Sequence, residues 1–249
     1  MKNTLDRYFR EAATLPGWFF RRSCITWDCL LRFQEEQEIG GDFLEIGVWR
    51  GRSALLAALH AGEGDTFLLV DPAIHEKTLE TLGASTTAKL KFLRECSSAL
   101  ADSDWLTDHA NSCRWIHIDG EHTGTRVYDD ICHGVQLLSE EGILVIDDFF
   151  SPIWPQITKA SFDYCHHYPD ELRLFLCGDN KGYFCRPSQL PLYKAYLLER
   201  LHGEMSSRDE KDFSICKTTL PDDMDCCGIV NRFKDRDYVG PDWDPDKLV

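Results

Sequence analysis

Phe43-Leu44-Glu45-Ile46-Gly47-Val48-Trp49-Arg50-Gly51-Arg52-Ser53 decides the fold of this chain. A short strand runs into a glycine turn, and Ser53 to His60, rich in Ala and Leu, reads as the helix that follows. Gly47 lets the backbone turn sharply, and Gly51 lets the helix approach closely. The start of the helix offers free amides to a polar or anionic ligand group. The spacing is acidic-x-Gly-x-x-x-Gly, with Trp49 where a dinucleotide fingerprint puts its middle glycine. Glu45 also repels phosphate, so a pyrophosphate fits less well than a cationic ligand. No Gly-Lys-Ser/Thr follows, which rules out a P-loop. Taken alone, the segment reads equally as a structural turn.

Asp71 changes that balance. It ends a second strand, Thr66 to Val70, 26 residues after Glu45, where an acidic side chain can hydrogen-bond both ribose hydroxyls. Further strands are expected at Leu90–Arg94, Arg114–Asp119 and Gly142–Asp147, the last almost wholly apolar, as in a strand covered on both faces. Helical spacing fills 4–38 (broken at Leu15-Pro16-Gly17 and resuming at Trp18), 75–90, 125–138, 156–166 and 190–202. Leu172–Cys177 and Tyr183–Arg186 flank Gly178-Asp179-Asn180-Lys181-Gly182 as a hairpin. Alternating strands and helices give an α/β fold with a doubly wound, mostly parallel sheet. Residues 1–40 form an N-terminal helical extension, 41–188 the main domain, and 189–249 a C-terminal helix and polar tail.

In such a sheet the carboxyl ends of the strands open on one edge, where ligands bind. Glu45, Asp71, Asp119, Asp147 and Asp148 all fall at expected carboxyl ends. Acidic groups gathered there repel one another unless a cation lies among them. A sulfonium or a hard divalent ion, magnesium, manganese or calcium, would each relieve the repulsion. The bland alternative is a solvated acidic rim. Glu121 and His122, just after Asp119, are both placed to take a proton from a substrate hydroxyl. The aromatics Trp18-Phe19-Phe20, Phe149-Phe150 and Trp154 either roof an acceptor pocket or, as expected for most of them, pack in the core.

Composition narrows the partners. The 249 residues carry a net charge of −15, which argues against a sequence-independent grip on nucleic acid and against an anionic membrane surface. No apolar run is long enough to span a bilayer, and no signal peptide is read at Met1–Arg7. The eleven cysteines include no Cys-x-x-Cys pair, and a reducing cytoplasm is the expected location. A homo-oligomer through the N-terminal helices is a further expectation.

These motifs resemble the class I S-adenosylmethionine-dependent methyltransferases, and more narrowly the small-molecule O-methyltransferases of the macrocin and catechol type, the methyltransferase-24 domain. The resemblance covers about residues 40–188 and implies a Rossmann-like, seven-stranded sheet closed by the Asn180-Lys181-Gly182-Tyr183 hairpin. It implies that Glu45, Gly47, Trp49, Gly51, Ser53, Asp71, Ser97 and Asp119 hold the cofactor S-adenosyl-L-methionine. It also implies that Asp119, Asp147 and Asp148 ligate Mg2+ or another hard divalent cation. Two departures stand out. Glu121 occupies a position where many relatives carry Asp, and Arg94-Glu95-Cys96-Ser97-Ser98 stands where relatives read Gly-Asp-Ser near the adenine. The expected activity is metal-assisted O-methylation of a hydroxyl on a small molecule, such as a sugar, polyketide or catechol, with Glu121 or His122 as base. The alternatives are metal-independent N- or C-methylation, or a non-catalytic cofactor-binding regulator.

Overall fold

The computed structural model describes residues 3–217, 226–233 and 235–240. Two helices, α1 (Asn3–Ala12) and α2 (Arg21–Glu36), precede the first strand, β1 (Asp42–Ile46). Then follow α3 (Arg52–Ala58), β2 (Thr66–Val70), α4 (Glu76–Ser85), β3 (Lys89–Leu93) and α5 (Trp105–Asp108). Next come β4 (Cys113–Ile118), α6 (Gly124–Leu137), β5 (Leu138–Asp147) and α7 (Pro155–His167). The hairpin is β6 (Arg173–Gly178) and β7 (Lys181–Cys185). A π-helical turn, Leu197–Leu201, joins α8 (Leu190–Tyr196) to α9 (His202–Ser207). Strands β8 (Phe213–Lys217), β9 (Cys227–Asn231) and β10 (Tyr238–Val239) are the last regular elements among the described residues.

One sheet holds all ten strands in the order β10-β8-β9-β6-β7-β5-β4-β1-β2-β3. Strands β1 to β5 pair in parallel, and β7 runs antiparallel between β5 and β6. The order reverses between β1 and β4, so a crevice opens beyond their carboxyl ends. Seven strands were expected. The expected C-terminal helix is there as α8 and α9, but the described part of the polar tail adds β8, β9 and β10 beside β6; residues 218–225, 234 and 241–249 of that tail lie outside the described residues. The alternation Phe213-Ser214-Ile215 and Cys227-Gly228-Ile229 is the strand signal inside that polar stretch, with Phe213, Ile215 and Cys227 fully buried.

Side chains alternate across the sheet and divide the core in two. Phe43, Phe67, Trp115 and Val145 pack toward α1, α2 and α3, whereas Leu44, Ile116, Leu144 and Ile146 pack toward α6 and α7. In α2, Trp27 is fully buried and meets Trp115 and His117 edge-on, with ring centroids 5.0 and 4.8 Å apart. Helix α2 starts three residues later than its spacing suggests, because Trp18 and Phe19 are spent on tertiary contacts. Trp18 stacks on Trp49 at 5.6 Å, and Phe19 meets Trp27 at 4.7 Å. Helix α4 stops at Ser85 rather than near 90, since Thr86 is extended and Lys89 and Leu90 pair with β2.

No disulfide forms among the described residues. None of their helices is long and apolar enough to cross a membrane.

Candidate active site

The glycine turn shapes the crevice. At Gly47, φ is +90°, and an added Cβ would lie 1.9 Å from the Asp119 carbonyl oxygen, so no side chain is admitted there. Gly51 takes the left-handed conformation just before α3. Between them Trp49, also left-handed at φ 42°, donates its amide to Asp71 Oδ2 at 2.7 Å. The Ala73 amide donates to Asp71 Oδ1 at 2.6 Å. Both carboxylate oxygens of Asp71 are thus fixed, and each keeps a lone pair for a diol.

Two cavities meet at this turn. The smaller, about 250 Å³, is lined by Gly47, Asp71, Ser97, Gly120, Glu121 and Arg126 among others. The larger, about 590 Å³, shares Gly47, Asp71 and Asp119 with it and adds Ser53, His122, Asp147 and Asp148. Trp18, Trp49, Ile153 and Trp154 line the larger cavity and are all exposed. Core packing was the expected use of most aromatics near this edge. In fact Trp18, Phe20, Phe150 and Trp154 are exposed, and only Phe19 and Phe149 are buried.

Glu45 does not join this rim. It is fully buried beneath the turn and lines neither cavity. Its Oε1 accepts a 2.5 Å hydrogen bond from Ser53 Oγ and lies 3.5 Å from His117 Nδ1. On the other side, His117 Nε2 lies 3.4 Å from Asp147 Oδ2. These are ion-pair distances rather than hydrogen bonds. Burial works against the charge of His117, but Asp147 and Glu45 outweigh it and hold the imidazolium up to about 9. His117 was not among the expected site residues. The register Glu45↔His117↔Val145 is the signal that places it between two acids.

Lys181 completes the buried row. It faces Asp147 directly across the β5–β7 ladder, and its Nζ donates to Asp147 Oδ2 at 2.5 Å. Only 2% of its side chain is exposed, and the Phe19 ring lies 5.1 Å from the ammonium. Burial raises the Asp147 carboxyl, but Lys181 and His117 more than reverse that and hold it far below the usual carboxylate range. Asp119 shifts the opposite way. About a third of its side chain reaches the cavity, yet the protein crowds the carboxyl from every other side. That desolvation, followed by the charge of Asp147, raises it.

The base candidates separate cleanly. His122 Nε2 lies 2.9 Å from Asp148 Oδ2, and the ring stacks on Trp154 at 4.9 Å. Gln156 holds the loop by donating to the His122 carbonyl at 2.6 Å. His122 faces the larger cavity, whereas Glu121, 59% exposed, faces the smaller one near Arg126.

The expected magnesium ligands are divided. Potential ligand atoms gather within 4.8 Å in two groups, His117–Asp119–Asp147 and Asp119–His122–Asp148. In the first, Asp147 is already held by Lys181 and His117. In the second, Asp148 Oδ1 accepts from Asn180 at 2.6 Å and Oδ2 meets His122. A hard ion seeks free oxygen donors. The residues as placed do not fit magnesium held jointly by Asp119, Asp147 and Asp148.

Residues 44–149 match the family described as a methyltransferase domain. That stretch is a methyltransferase domain. No curated protein matches the sequence significantly. Among solved structures, the calicheamicin TDP-rhamnose 3′-O-methyltransferase CalS11 is 16% identical over 74% of this chain and 93% of its own, with a TM-score of 0.50. The mycinamycin-pathway methyltransferase MycE, solved with Mg and SAH, is 15% identical over 75% of this chain and 55% of its own, with a TM-score of 0.52. A Corynebacterium glutamicum protein is 12% identical over 75% of this chain and 90% of its own, also at 0.52. These likenesses show the methyltransferase fold. In that fold the crevice fits the cofactor: the methyltransferase turn at Gly47 admits no side chain, and Asp71 is oriented toward a diol.

Proposed function

We propose that this methyltransferase moves a methyl group to a hydroxyl oxygen of a small molecule seated in the larger cavity. One observation carries the reading. His122, aimed by Asp148 and backed by Trp154, faces a cavity that shares Gly47, Asp71 and Asp119 with the cofactor crevice. The bound cofactor supplies an electrophilic methyl on a sulfonium. The chain's residues hold the acceptor and take its proton.

A hydroxyl is a poor nucleophile until its proton leaves. His122 accepts that proton, and Asp148 stabilises the imidazolium that forms, as an orienting acid does beside a catalytic histidine. Asp71 and the turn amides fix the cofactor, so much of the barrier is lowered by alignment alone. The rim of Trp18, Trp49 and Trp154 supports an acceptor with a flat or ring-shaped face, such as a sugar, a polyketide or a catechol. The test is mass spectrometry of labelled methyl transfer to a panel of such hydroxyl compounds, using wild type, His122→Asn and Glu121→Gln. Loss of transfer only in Glu121→Gln would refute the assignment.

A second reading has an observation in its favour. Four aspartates, Asp71, Asp119, Asp147 and Asp148, line the larger cavity, with Arg52 as counter-charge. Such a lining attracts a cationic amine, and transfer to nitrogen would follow. A panel that includes amines separates the two by the atom labelled.

A further inference from the structure

We propose that Lys181 supplies from within the chain the positive charge that a divalent ion would otherwise bring to Asp147, and that this methyltransferase site therefore works without a divalent metal. The proposal rests on the reading of the site as a methyltransferase centre.

The backbone imposes the pairing. Asp179 and Asn180, both at positive φ, form the two-residue turn between β6 and β7. That turn makes Lys181 the first residue of β7 and sets it opposite Asp147 on the same face of the sheet. The turn itself is anchored, because Arg22 binds both carboxylate oxygens of Asp179 and Ser23 Oγ donates to its carbonyl. The ammonium lies within 2.5 Å of Asp147 Oδ2, and Phe19 covers it.

A buried charge stays where its partner is, since leaving the pair unmatched is costly. A divalent ion at Asp147 would have to push the ammonium into the Phe19 ring or sit against it. His117 adds a second cation at 3.4 Å from the same oxygen. Asp147 thus meets two positive groups without any metal. Asp119 and Asp148 remain, and Asp148 is taken up by Asn180 and His122. What is left is one carboxylate, Asp119, and a hard ion on a single protein carboxylate keeps the rest of its shell as water and is held weakly.

The experiment titrates chelator-stripped protein with Mn2+, following bound metal by electron paramagnetic resonance. Cofactor binding is measured separately by calorimetry in chelator. Wild type is expected to bind no stoichiometric Mn2+ and to bind S-adenosylmethionine equally well with and without chelator. Lys181→Met takes the nearer cation from Asp147 and is expected to gain one stoichiometric Mn2+ site where wild type has none. Lys181→Met/Asp147→Asn loses that site again. Lys181→Arg keeps the charge, and it stays blind to Mn2+ even if the Met variant folds poorly. Stoichiometric Mn2+ on the wild-type protein overturns the proposal, as does a folded Lys181→Met that binds none. Failure to bind S-adenosylmethionine under any condition would instead strike the methyltransferase reading itself.

Discussion

The guanidinium of Arg22 grips both carboxylate oxygens of Asp179, with contacts of 2.6 to 2.9 Å, and so fastens α2 to the tip of the β6–β7 hairpin. Both side chains are largely buried, at 18% and 12% exposure. The hairpin tip carries Asn180 and Lys181, which hold Asp148 and Asp147. A largely buried contact at the start of α2 is therefore one step from the floor of the active site.

Arg22→Ala is expected to cost about 1.5–3 kcal/mol, the range for a hydrogen-bonded charge pair of this kind. Urea denaturation gives the number directly. A loss within error of zero would mean that the hairpin is held by its own turn alone.

His122→Ala should lower kcat by about 10²–10⁴-fold, the usual contribution of a positioned general base. Glu121→Gln should leave kcat near wild type, because its side chain faces the smaller cavity. Steady-state kinetics on both variants with one acceptor decides the matter.

Trp154→Ala removes the ring stacked on His122. Stacked aromatic pairs contribute about 0.5–1.5 kcal/mol, so the acceptor KM should rise roughly two- to tenfold. The KM for S-adenosylmethionine should not move, since Trp154 does not line the smaller cavity.

Gly47→Ala should destabilise the fold by about 2–4 kcal/mol and abolish cofactor binding, since nothing near the Asp119 carbonyl can yield. Calorimetry with S-adenosylmethionine and a denaturation curve read the two effects separately.

A buried charge cluster outside the two active-site cavities sets a pH dependence. His60 lies 2.7 Å from Glu35 and 3.2 Å from Asp28, and Asp28 also pairs with Arg32 and Arg208. Burial opposes the charge on His60, but its bonds to Asp28 and Glu35 prevail and raise its pKa above the ordinary 6.5. Its contribution is complete below 6.5 and disappears as pH climbs through the raised value. Asp28 moves the other way. Burial pushes it up, but His60 and Arg32 outweigh that and bring it down to about 2. Its contribution is complete above its ordinary 3.8 and disappears as pH falls toward 2. As pH rises above 6.5, melting temperature should therefore drop more steeply in wild type than in His60→Gln; parallel curves would refute the linkage.

The parallel sheet and its carboxyl edge were legible because short apolar strands, a glycine turn and strand-ending acids are local signals. Asp71 and Asp119 follow from them directly. The split of the metal set was not legible. Whether Asp147 is available depends on Lys181, 34 residues away, and on a ladder register that only the folded hairpin fixes. Glu45 looked like a rim residue because it precedes the turn by two positions. In β1 it points instead into the sheet face that carries Phe43, beside its ladder neighbour His117 on β4. The C-terminal strands were missed because their apolar positions are few, and the polar residues around them dominated the reading.

Extending the sheet past β6 changes what another chain would meet at its margins. Among the described residues, one margin is β10, a strand of two residues, and the other is β3, which carries Lys89 and Lys91. Brevity on one flank and lysine charge on the other are the devices by which open sheets discourage a stray strand from adding on. A chain with so large an apolar sheet is in this way guarded against fibrous self-association at both ends.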